Sequence, residues 1–465
     1  MIILNLFQTA KFIKRRKLCL KNPKKLAMLA WRVLCNNLAR ILDSLRKILF
    51  STEFIQNHRT SSKAFLRNRK LPFHLLVCFI INFVKGSYQS ELDRFFQSIT
   101  NSNIAQRVVS KAAFAKARMK LTYDTFIDLN QHLINEFSST FTPLTWNGFR
   151  LMSLDGSLLT LPKVSEIMDY FGAWHGRQGE PCPKARISQL YDPLNKLTIR
   201  ALINPKSVGE RQQAKSLVSN IPTSSLLLLD RGYPAFWLFK LLVTQHIEFC
   251  ARICRKWEVV NEFIRSGKQE KIIELPPGTG DKHCKELGLD TNPIKLRLIR
   301  VELSSGEVEV LITSLIDQNH YPSEIFSDLY HKRWPVEEDY KIMKNRMEIE
   351  AFTGQSVHSI HQDFYANVFA KNLVTVLSFP AQEQLDSSGV KEKHPHQVNT
   401  TQLLGKAKHL LPQLFQKTYS EIKDLLQQFI DLALKITEPI RPERKYPRNQ
   451  RAVKKQYYQN YKPAF

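Results

Sequence analysis

Two short apolar runs, each carrying one aspartate, constrain the fold of this chain more than any other feature. Residues 150–161 form a mostly apolar segment interrupted by Asp155-Gly156, which predicts a buried strand with a carboxylate set into it. Residues 226–229 are four leucines followed by Asp230 and a tight turn. A strand that ends in this way places its carboxylate at the carboxyl edge of a sheet, where the ligands of α/β folds bind.

The segments around these runs predict an α/β domain. Alternating residues on both sides of a turn at 192–195 predict a β-hairpin, and helices are predicted from Gly209 to about Val218 and from about Ala235 to Gln245. Residues 249–317 return to strand patterns, which we interpret as a β-rich insertion that interrupts the domain. A helical region follows.

The helical region contains Tyr330, Arg333, Glu337 and Lys344. On a continuous helix turning by roughly 100° per residue, the four side chains would share an arc of about 60°. Such a face suits a phosphodiester, because the cations and the phenol bind phosphate oxygens and the carboxylate holds a metal ion. A solvated charged helix with one salt bridge is the alternative. Pro335 predicts that one helix ends near Trp334 and that a second begins with the proline in its first turn.

Taken in order, the chain presents Asp155 on a strand, Asp230 at a strand end and Glu337 on a helix. These three carboxylates can converge at one sheet edge, and hard oxygen ligands are what Mg²⁺ requires. Two Mg²⁺ ions held there, with Mn²⁺ as a substitute, would activate a water or a 3′ hydroxyl and stabilise the leaving oxygen of an in-line displacement at phosphorus.

The charge balance predicts a polyanionic partner. Lys and Arg number 68 against 42 acidic residues, a formal charge of +26 with a pI near 9.7. Nucleic acid is the first candidate and an anionic membrane surface the second. The longest apolar run, about 75–84, is shorter than the ~18 residues that a membrane span needs, so we predict no membrane insertion. Seven scattered cysteines without a C-x-x-C pair argue against zinc and favour a reducing cytoplasm.

Two further segments carry basic residues. Ser110 is a plausible N-cap for a helix over 111–120, whose Lys116 and Arg118 could contact DNA in a major groove, although an amphipathic helix with solvated cations fits equally. The tail from Arg441 onward interleaves basic residues with tyrosines. This composition suits either a nucleic-acid strand or a disordered, solubilising tail.

Tyr330-x2-Arg333-x3-Glu337-x6-Lys344 resembles the Tyr-Arg-Glu-Lys signature of DDE transposases of the bacterial insertion-sequence-four type. The segments around Asp155 (Leu-Asp-Gly-Ser) and Asp230 (Leu-Asp-Arg-Gly-Tyr) are similar to the two aspartate blocks of that family. Residues 348–372 also resemble the sequence that follows the signature in many members. The resemblance extends over roughly residues 100–380.

The resemblance implies an α/β fold with a ribonuclease-H-like catalytic domain and a β-rich insertion, flanked by helical N-terminal and C-terminal regions. It implies that Asp155, Asp230 and Glu337 carry divalent metals and that Tyr330, Arg333 and Lys344 bind phosphates. The family also stacks an aromatic residue of the insertion on a flipped base. Trp257 is the one tryptophan of the insertion and the candidate for this role, with core packing as the alternative interpretation.

We therefore predict a transposase that cleaves the ends of its own element and joins them to target DNA, acting as a homodimer on inverted-repeat ends in a prokaryotic cytoplasm, at the nucleoid. A nuclease without strand transfer and a silent DNA-binding descendant of a transposase are the alternatives. The predicted domains are a basic helical extension (1–60), a helical DNA-binding domain (61–146), the catalytic domain (147–380, interrupted by the insertion at 249–317), C-terminal helices (381–438) and a basic tail (439–465).

Overall fold

The computed structural model describes residues 23–67, 69–82, 86–174, 181–278, 281–303, 306–352, 354–387, 394–408 and 410–441. Within them, the amino-terminal part is helical: α1 (Pro23–Phe50), α2 (Thr52–Asn57), α3 (Phe73–Ile80), α4 (Tyr88–Thr100), α5 (Lys111–Arg118) and α6 (Asp124–Thr140). Ser110 caps α5 as predicted, because its hydroxyl accepts a hydrogen bond from the Ala113 amide at 3.2 Å.

The middle of the chain alternates strands and helices. Its elements are β1 (Arg150–Thr160), α7 (Ser165–Phe171), β2 (Ala173–Trp174), β3 (Cys182–Asp192), β4 (Leu197–Asn204), α8 (Glu210–Val218), β5 (Ser225–Leu229), α9 (Phe236–Thr244), β6 (Glu248–Ile253), α10 (Glu258–Arg265), β7 (Glu270–Leu275), α11 (Asp281–Glu286), β8 (Ile294–Glu302) and β9 (Val308–Thr313). The hairpin and the two helices that the sequence predicts are therefore present.

The strands form one mixed sheet. β4, β3 and β1 pair antiparallel, and β5 and β6 continue from β1 in parallel. β9, β8 and β7 then extend the sheet antiparallel beyond β6. A hairpin followed by parallel strands, with helices on the sheet, is the ribonuclease-H-like arrangement, and the predicted fold class is confirmed.

The carboxyl-terminal part is mainly helical. Its elements are α12 (Ile325–His331), α13 (Pro335–Lys341), a π-helical turn (Ile342–Arg346), α14 (Val357–Ser387), β10 (His396–Val398), α15 (Thr400–Ala407), α16 (Leu410–Gln416), α17 (Tyr419–Lys435) and β11 (Thr437–Pro439). Helix α14 is buried on most of its faces and packs against α1, α6 and α17. A helix that is apolar all round must lie inside the fold, so α14 joins the terminal helices to the catalytic sheet.

Three sequence-based boundaries need correction. The predicted extension 1–60 is no separate unit, because Leu38, Leu42 and Leu45 of α1 are fully buried in the main core. The insertion begins after β6 rather than at residue 249, since β6 pairs in parallel with β5, and β7–β9 join the same sheet. The polar segment 382–401 is partly helical, because α14 continues to Ser387. Periodicity alone does not reveal such long-range pairing.

Residues 1–22 and the predicted basic tail from 442 onward lie outside the described residues. In the part of the chain that is described, the helices are too short or too polar to cross a membrane.

Candidate active site

Asp155 and Asp230 lie side by side on adjacent strands. Leu154 of β1 is in register with Leu229 of β5 in their parallel pairing, and each aspartate follows one of these leucines. Because side chains alternate along strands, the two carboxylates project to the same face of the sheet. Both side chains are partly buried.

Asp155 interacts electrostatically with the other two predicted acids. Burial raises the pKa of Asp155 to about 6, the charge of Arg333 opposes this rise, and the charges of Glu337 and Asp230 add to it. A carboxyl group responds to like charges in this way only when they are close. The three carboxylates that the sequence predicts are thus brought to one edge of the sheet.

Glu337 is positioned by a helix break. Helix α12 ends at His331, and α13 starts at Pro335 in its first position, as the sequence predicts. The phenol of Tyr340 on α13 donates a hydrogen bond to the Asp155 carbonyl at 2.8 Å. This bond fastens α13 to β1 and holds Glu337, one helical turn earlier, beside the aspartates.

Arg333 lies in the link between the two helices. Its side chain is 4% exposed, and its Nη2 donates to Glu337 Oε1 at 2.6 Å. The guanidinium carbon lies 5.9 Å from the ring centre of Tyr330 and 5.6 Å from that of Trp334. The Nε and Nη1 atoms of Arg333 have no hydrogen-bond partner among the described residues. Buried unpaired donors are costly, and they mark a place where a further acceptor binds.

Tyr330 holds the end of β5. Its phenol donates to the Leu229 carbonyl at 3.3 Å and lies 3.5 Å from Asp230 Oδ1. Burial raises the pKa of Tyr330, so the hydroxyl keeps its proton. The phenol is therefore directed at the turn that carries Asp230.

Lys344 lies in the π-helical turn and reaches the other side of Asp155. Its Nζ donates to Ser157 Oγ and to the Leu158 carbonyl, both at 2.7 Å. Burial lowers the pKa of Lys344, and the charge of Glu350 opposes this effect. Tyr330, Arg333, Glu337 and Lys344 thus surround the two aspartates although Pro335 divides them between two helices.

The donor set fits a divalent cation. Three carboxylates supply hard oxygen ligands, and the orphaned donors of Arg333 lie in the same place. In the described part of the chain no three Asp, Glu, His or Cys side chains are gathered tightly enough to hold a metal ion. The Glu337 carboxylate is bonded to Arg333 instead, so binding a metal requires that this carboxylate exchange partners.

Of the two predicted DNA contacts on α5, the structure separates one from the other. Lys116 is exposed. Arg118 is 4% exposed and forms an ion pair with Asp363 at 2.7 Å and a hydrogen bond to Gln362 at 2.9 Å. The expectation that Arg118 faces DNA is wrong, because its guanidinium joins α5 to α14.

Trp257 lies between β6 and α10 and is half-buried. It packs against the core and also borders an open groove of about 990 Å³. The groove is lined by aromatic and basic side chains, among them Trp237, Arg211 and Lys256. Both interpretations of Trp257 therefore remain open.

Sequence reasoning missed two groups of residues. Tyr340 and Tyr233 lie close in sequence to Glu337 and Asp230, and their burial beside Asp155 is their distinguishing property. The buried pair of Lys371 and Asp339, at 2.5 Å, fixes α13 to α14 behind the site. A lone lysine within an apolar helix was the available signal for such a pair.

Known proteins resemble this chain along most of its length. The family model "Transposase DDE domain" matches residues 146–373. The transposase InsG for insertion sequence element IS4 of Escherichia coli (strain K12) is 23% identical over 394 residues, which cover 82% of this chain and 86% of that protein. The putative transposase InsZ of the same strain is 23% identical over 51% of this chain and 78% of its own length. A cryo-EM structure of a piggyBac transposase synaptic complex with hairpin DNA aligns with a TM-score of 0.44 and 12% identity, covering 84% of each chain.

Proposed function

The chain belongs to the DDE transposases of the bacterial insertion-sequence-four type, and from this premise we propose that it moves its own element by Mg²⁺-dependent cut-and-paste transposition. The enzyme cleaves the two ends of the element and joins them to target DNA. The observation that carries the proposal is the convergence of Asp155, Asp230 and Glu337 at one sheet edge.

Asp155, Asp230 and Glu337 are the residues that hold the divalent ions. When bound, two Mg²⁺ ions, or Mn²⁺ in their place, lower the pKa of an attacking water or 3′ hydroxyl and stabilise the leaving oxygen. Asp155 contributes as a carboxylate at neutral pH, because its pKa of about 6 lies below that range. Glu337 contributes after leaving Arg333.

Arg333 and Lys344 bind phosphate oxygens of the DNA end. The two unpaired nitrogens of Arg333 supply donors that a phosphate oxygen can accept, and a guanidinium does so with defined geometry. Lys344 flanks Asp155 from the opposite side, where its ammonium approaches the next phosphate. Tyr330 orients Asp230 and presents its phenol edge to the same strand of DNA.

The proposed partner is double-stranded DNA, both the inverted-repeat ends of the element and the target. The charge of +26 favours binding to the phosphate backbone. Lys116 on α5 and Trp257 beside the groove are proposed contacts outside the catalytic edge. A homodimer pairs the two ends, as implied by the family. The cytoplasmic, nucleoid-associated location stays a prediction.

Labelled element ends incubated with Mg²⁺ and a target plasmid test this function. We expect cleaved ends and products joined to the plasmid. Glu337→Gln should lose activity by more than the roughly 10–100-fold that an outer-shell substitution costs, because a metal ligand is removed. Glu338→Gln is the matched control, since Glu338 is exposed and pairs with Lys341, and it should act as wild type.

Three results would contradict the proposal. Cleavage without joined products identifies a nuclease, binding without cleavage identifies a silent DNA-binding protein, and full activity of Glu337→Gln removes the catalytic assignment.

A further inference from the structure

Glu210, the first residue of helix α8, lies directly beside the two aspartate turns. A methyl group placed on Gly156, the residue after Asp155, would lie 3.4 Å from Glu210 Cγ. A methyl group placed on Gly232, two residues after Asp230, would lie 4.0 Å from Glu210 Oε2. The carboxylate thus spans the space between the turns, and both glycines leave that space open.

Only one oxygen of Glu210 has a protein partner among the described residues. Arg186 Nη1 donates to Oε1 at 3.0 Å, whereas Oε2, the oxygen nearer to Gly232, accepts no hydrogen bond from them. The side chain of Glu210 is 49% exposed, so water and ions reach it. The Arg186 bond therefore orients the carboxylate and leaves its second oxygen available.

An independent feature points into the same space. The Tyr233 side chain is 3% exposed, and its hydroxyl has no hydrogen-bond partner in the part of the chain that the structure describes. Burial raises the pKa of Tyr233 well above its usual value, and the charges of Asp155, Glu210 and Asp230 raise it further. A buried phenol close to three carboxylates but bonded to none of them needs a partner that the protein does not supply, and ordered water is the usual one.

We infer that Glu210 is a fourth carboxylate of the metal site, which accepts a hydrogen bond from a water bound to the divalent cation between the Asp155 and Asp230 turns. Tyr233 bonds the same layer of water from below. This inference rests on the proposed metal-dependent function and adds to it a residue outside the three-carboxylate signature. Glu210 acts through water, so it positions the ion rather than ligating it.

The test measures metal binding rather than activity. Protein stripped with EDTA is titrated with MnCl₂ in a calorimeter, and free Mn²⁺ is followed by electron paramagnetic resonance. We expect Glu210→Gln to weaken Mn²⁺ binding by about tenfold or more, as outer-shell substitutions do, and Glu338→Gln to bind as wild type. Glu210→Asp, which keeps the charge and the helix start but withdraws the carboxylate, should weaken binding in the same direction.

Thermal unfolding separates this role from a structural one. In the absence of metal, Glu210→Gln should unfold no earlier than wild type, because loss of the partly exposed Arg186 pair is offset by relief of repulsion among carboxylates. Its stabilisation by Mn²⁺ should be smaller. Metal binding within twofold of wild type in Glu210→Gln, or in Glu210→Asp if the first variant does not fold, overturns the inference.

Glu337→Gln distinguishes failure of the Glu210 role from failure of the metal site itself. If Glu337→Gln loses Mn²⁺ binding and the Glu210 variants do not, only the role of Glu210 fails. If wild type and Glu337→Gln bind Mn²⁺ equally, the three-carboxylate site fails, and the role of Glu210 fails with it.

Discussion

Arg333 is the cation around which the metal-free site is arranged. It bonds Glu337 and lies close enough to Asp155 and Asp230 to influence their charges. A buried guanidinium among carboxylates offsets part of their mutual repulsion, which would otherwise destabilise the fold. The arrival of a divalent cation therefore changes the partner of Glu337 and frees further donors of Arg333 for phosphate.

Asp155 makes the stability of the metal-free protein depend on pH. Burial raises the pKa of Asp155 from its ordinary 3.8 to about 6, so between these values the folded state holds a proton that the unfolded chain has released. The contribution of Asp155 is most favourable below about pH 4 and is lost as the pH rises to about 6. We expect metal-free Asp155→Asn to exceed wild type in free energy of unfolding by at most about 3 kcal/mol above pH 7.

Urea unfolding across this pH range measures the effect. Asp169→Asn, which alters an exposed aspartate of α7, is the control and should change the pH profile little. A wild-type profile that stays parallel to that of Asp155→Asn would refute the prediction.

At the scale of elements, α5 combines an exposed cation and a buried one. We expect Arg118→Met to lower the free energy of unfolding by about 3–5 kcal/mol, because Asp363 is left without its buried partner. Lys116→Ala should leave stability within about 0.5 kcal/mol of wild type, because Lys116 is exposed. Urea unfolding of the two variants compares them directly.

Lys116→Ala also tests the predicted DNA contact of α5. If α5 contacts DNA, this variant should bind element ends more weakly than wild type, which a filter-binding titration measures. Unchanged DNA binding by Lys116→Ala would favour the alternative of a solvated amphipathic helix.

Helices α13 and α14 are joined by the buried pair of Asp339 and Lys371, whose side chains are 4% and 2% exposed. Lys371 also donates to Thr198 Oγ1 at 2.8 Å, which links α14 to β4. Lys371→Met should cost about 3–5 kcal/mol of stability, because an unpaired buried carboxylate remains, whereas Lys371→Met combined with Asp339→Leu should recover most of the loss. Urea unfolding of both proteins measures the difference.

The recovery itself is the informative quantity. A double variant as unstable as Lys371→Met alone would show that packing, rather than the unpaired charge, causes the loss. Restored stability with lowered cleavage would show that this pair also positions Glu337, which lies two residues before Asp339.

At the scale of the whole molecule, the charge of +26 predicts strongly salt-dependent DNA binding. Each neutralised phosphate contributes about −0.9 to the slope of log K against log salt. Residues 442–465 contain seven basic residues and one acidic residue. If this tail binds DNA, a chain ending at residue 441 should show a slope shallower by about 0.9 for each phosphate that the tail neutralises in the full chain.

Fluorescence anisotropy over a salt series measures both slopes. Equal slopes for the full and shortened chains would favour the solubilising interpretation of the tail. Light scattering with and without element ends then tests the proposed homodimer.

The order of elements could be predicted because it depends on local patterns. The apolar run of β1, the hairpin at 192–195, the helix break at Pro335 and the N-cap at Ser110 are each encoded by neighbouring residues. Partner choice over long distances was not predictable. The joining of β7–β9 to the main sheet and the burial of α1 depend on surfaces that are far apart in the sequence.

The sequence by itself determined which acids could meet, because strand alternation and the spacing of Tyr330, Arg333, Glu337 and Lys344 are properties of the chain alone. The tertiary structure decided what each side chain faces. It directed Arg118 into the interior, bonded Glu337 to Arg333 and brought Glu210 to the glycines beside Asp155 and Asp230. The reason is physical: spacing sets the direction of a side chain from its own element, whereas its partner is set by whichever element packs against it.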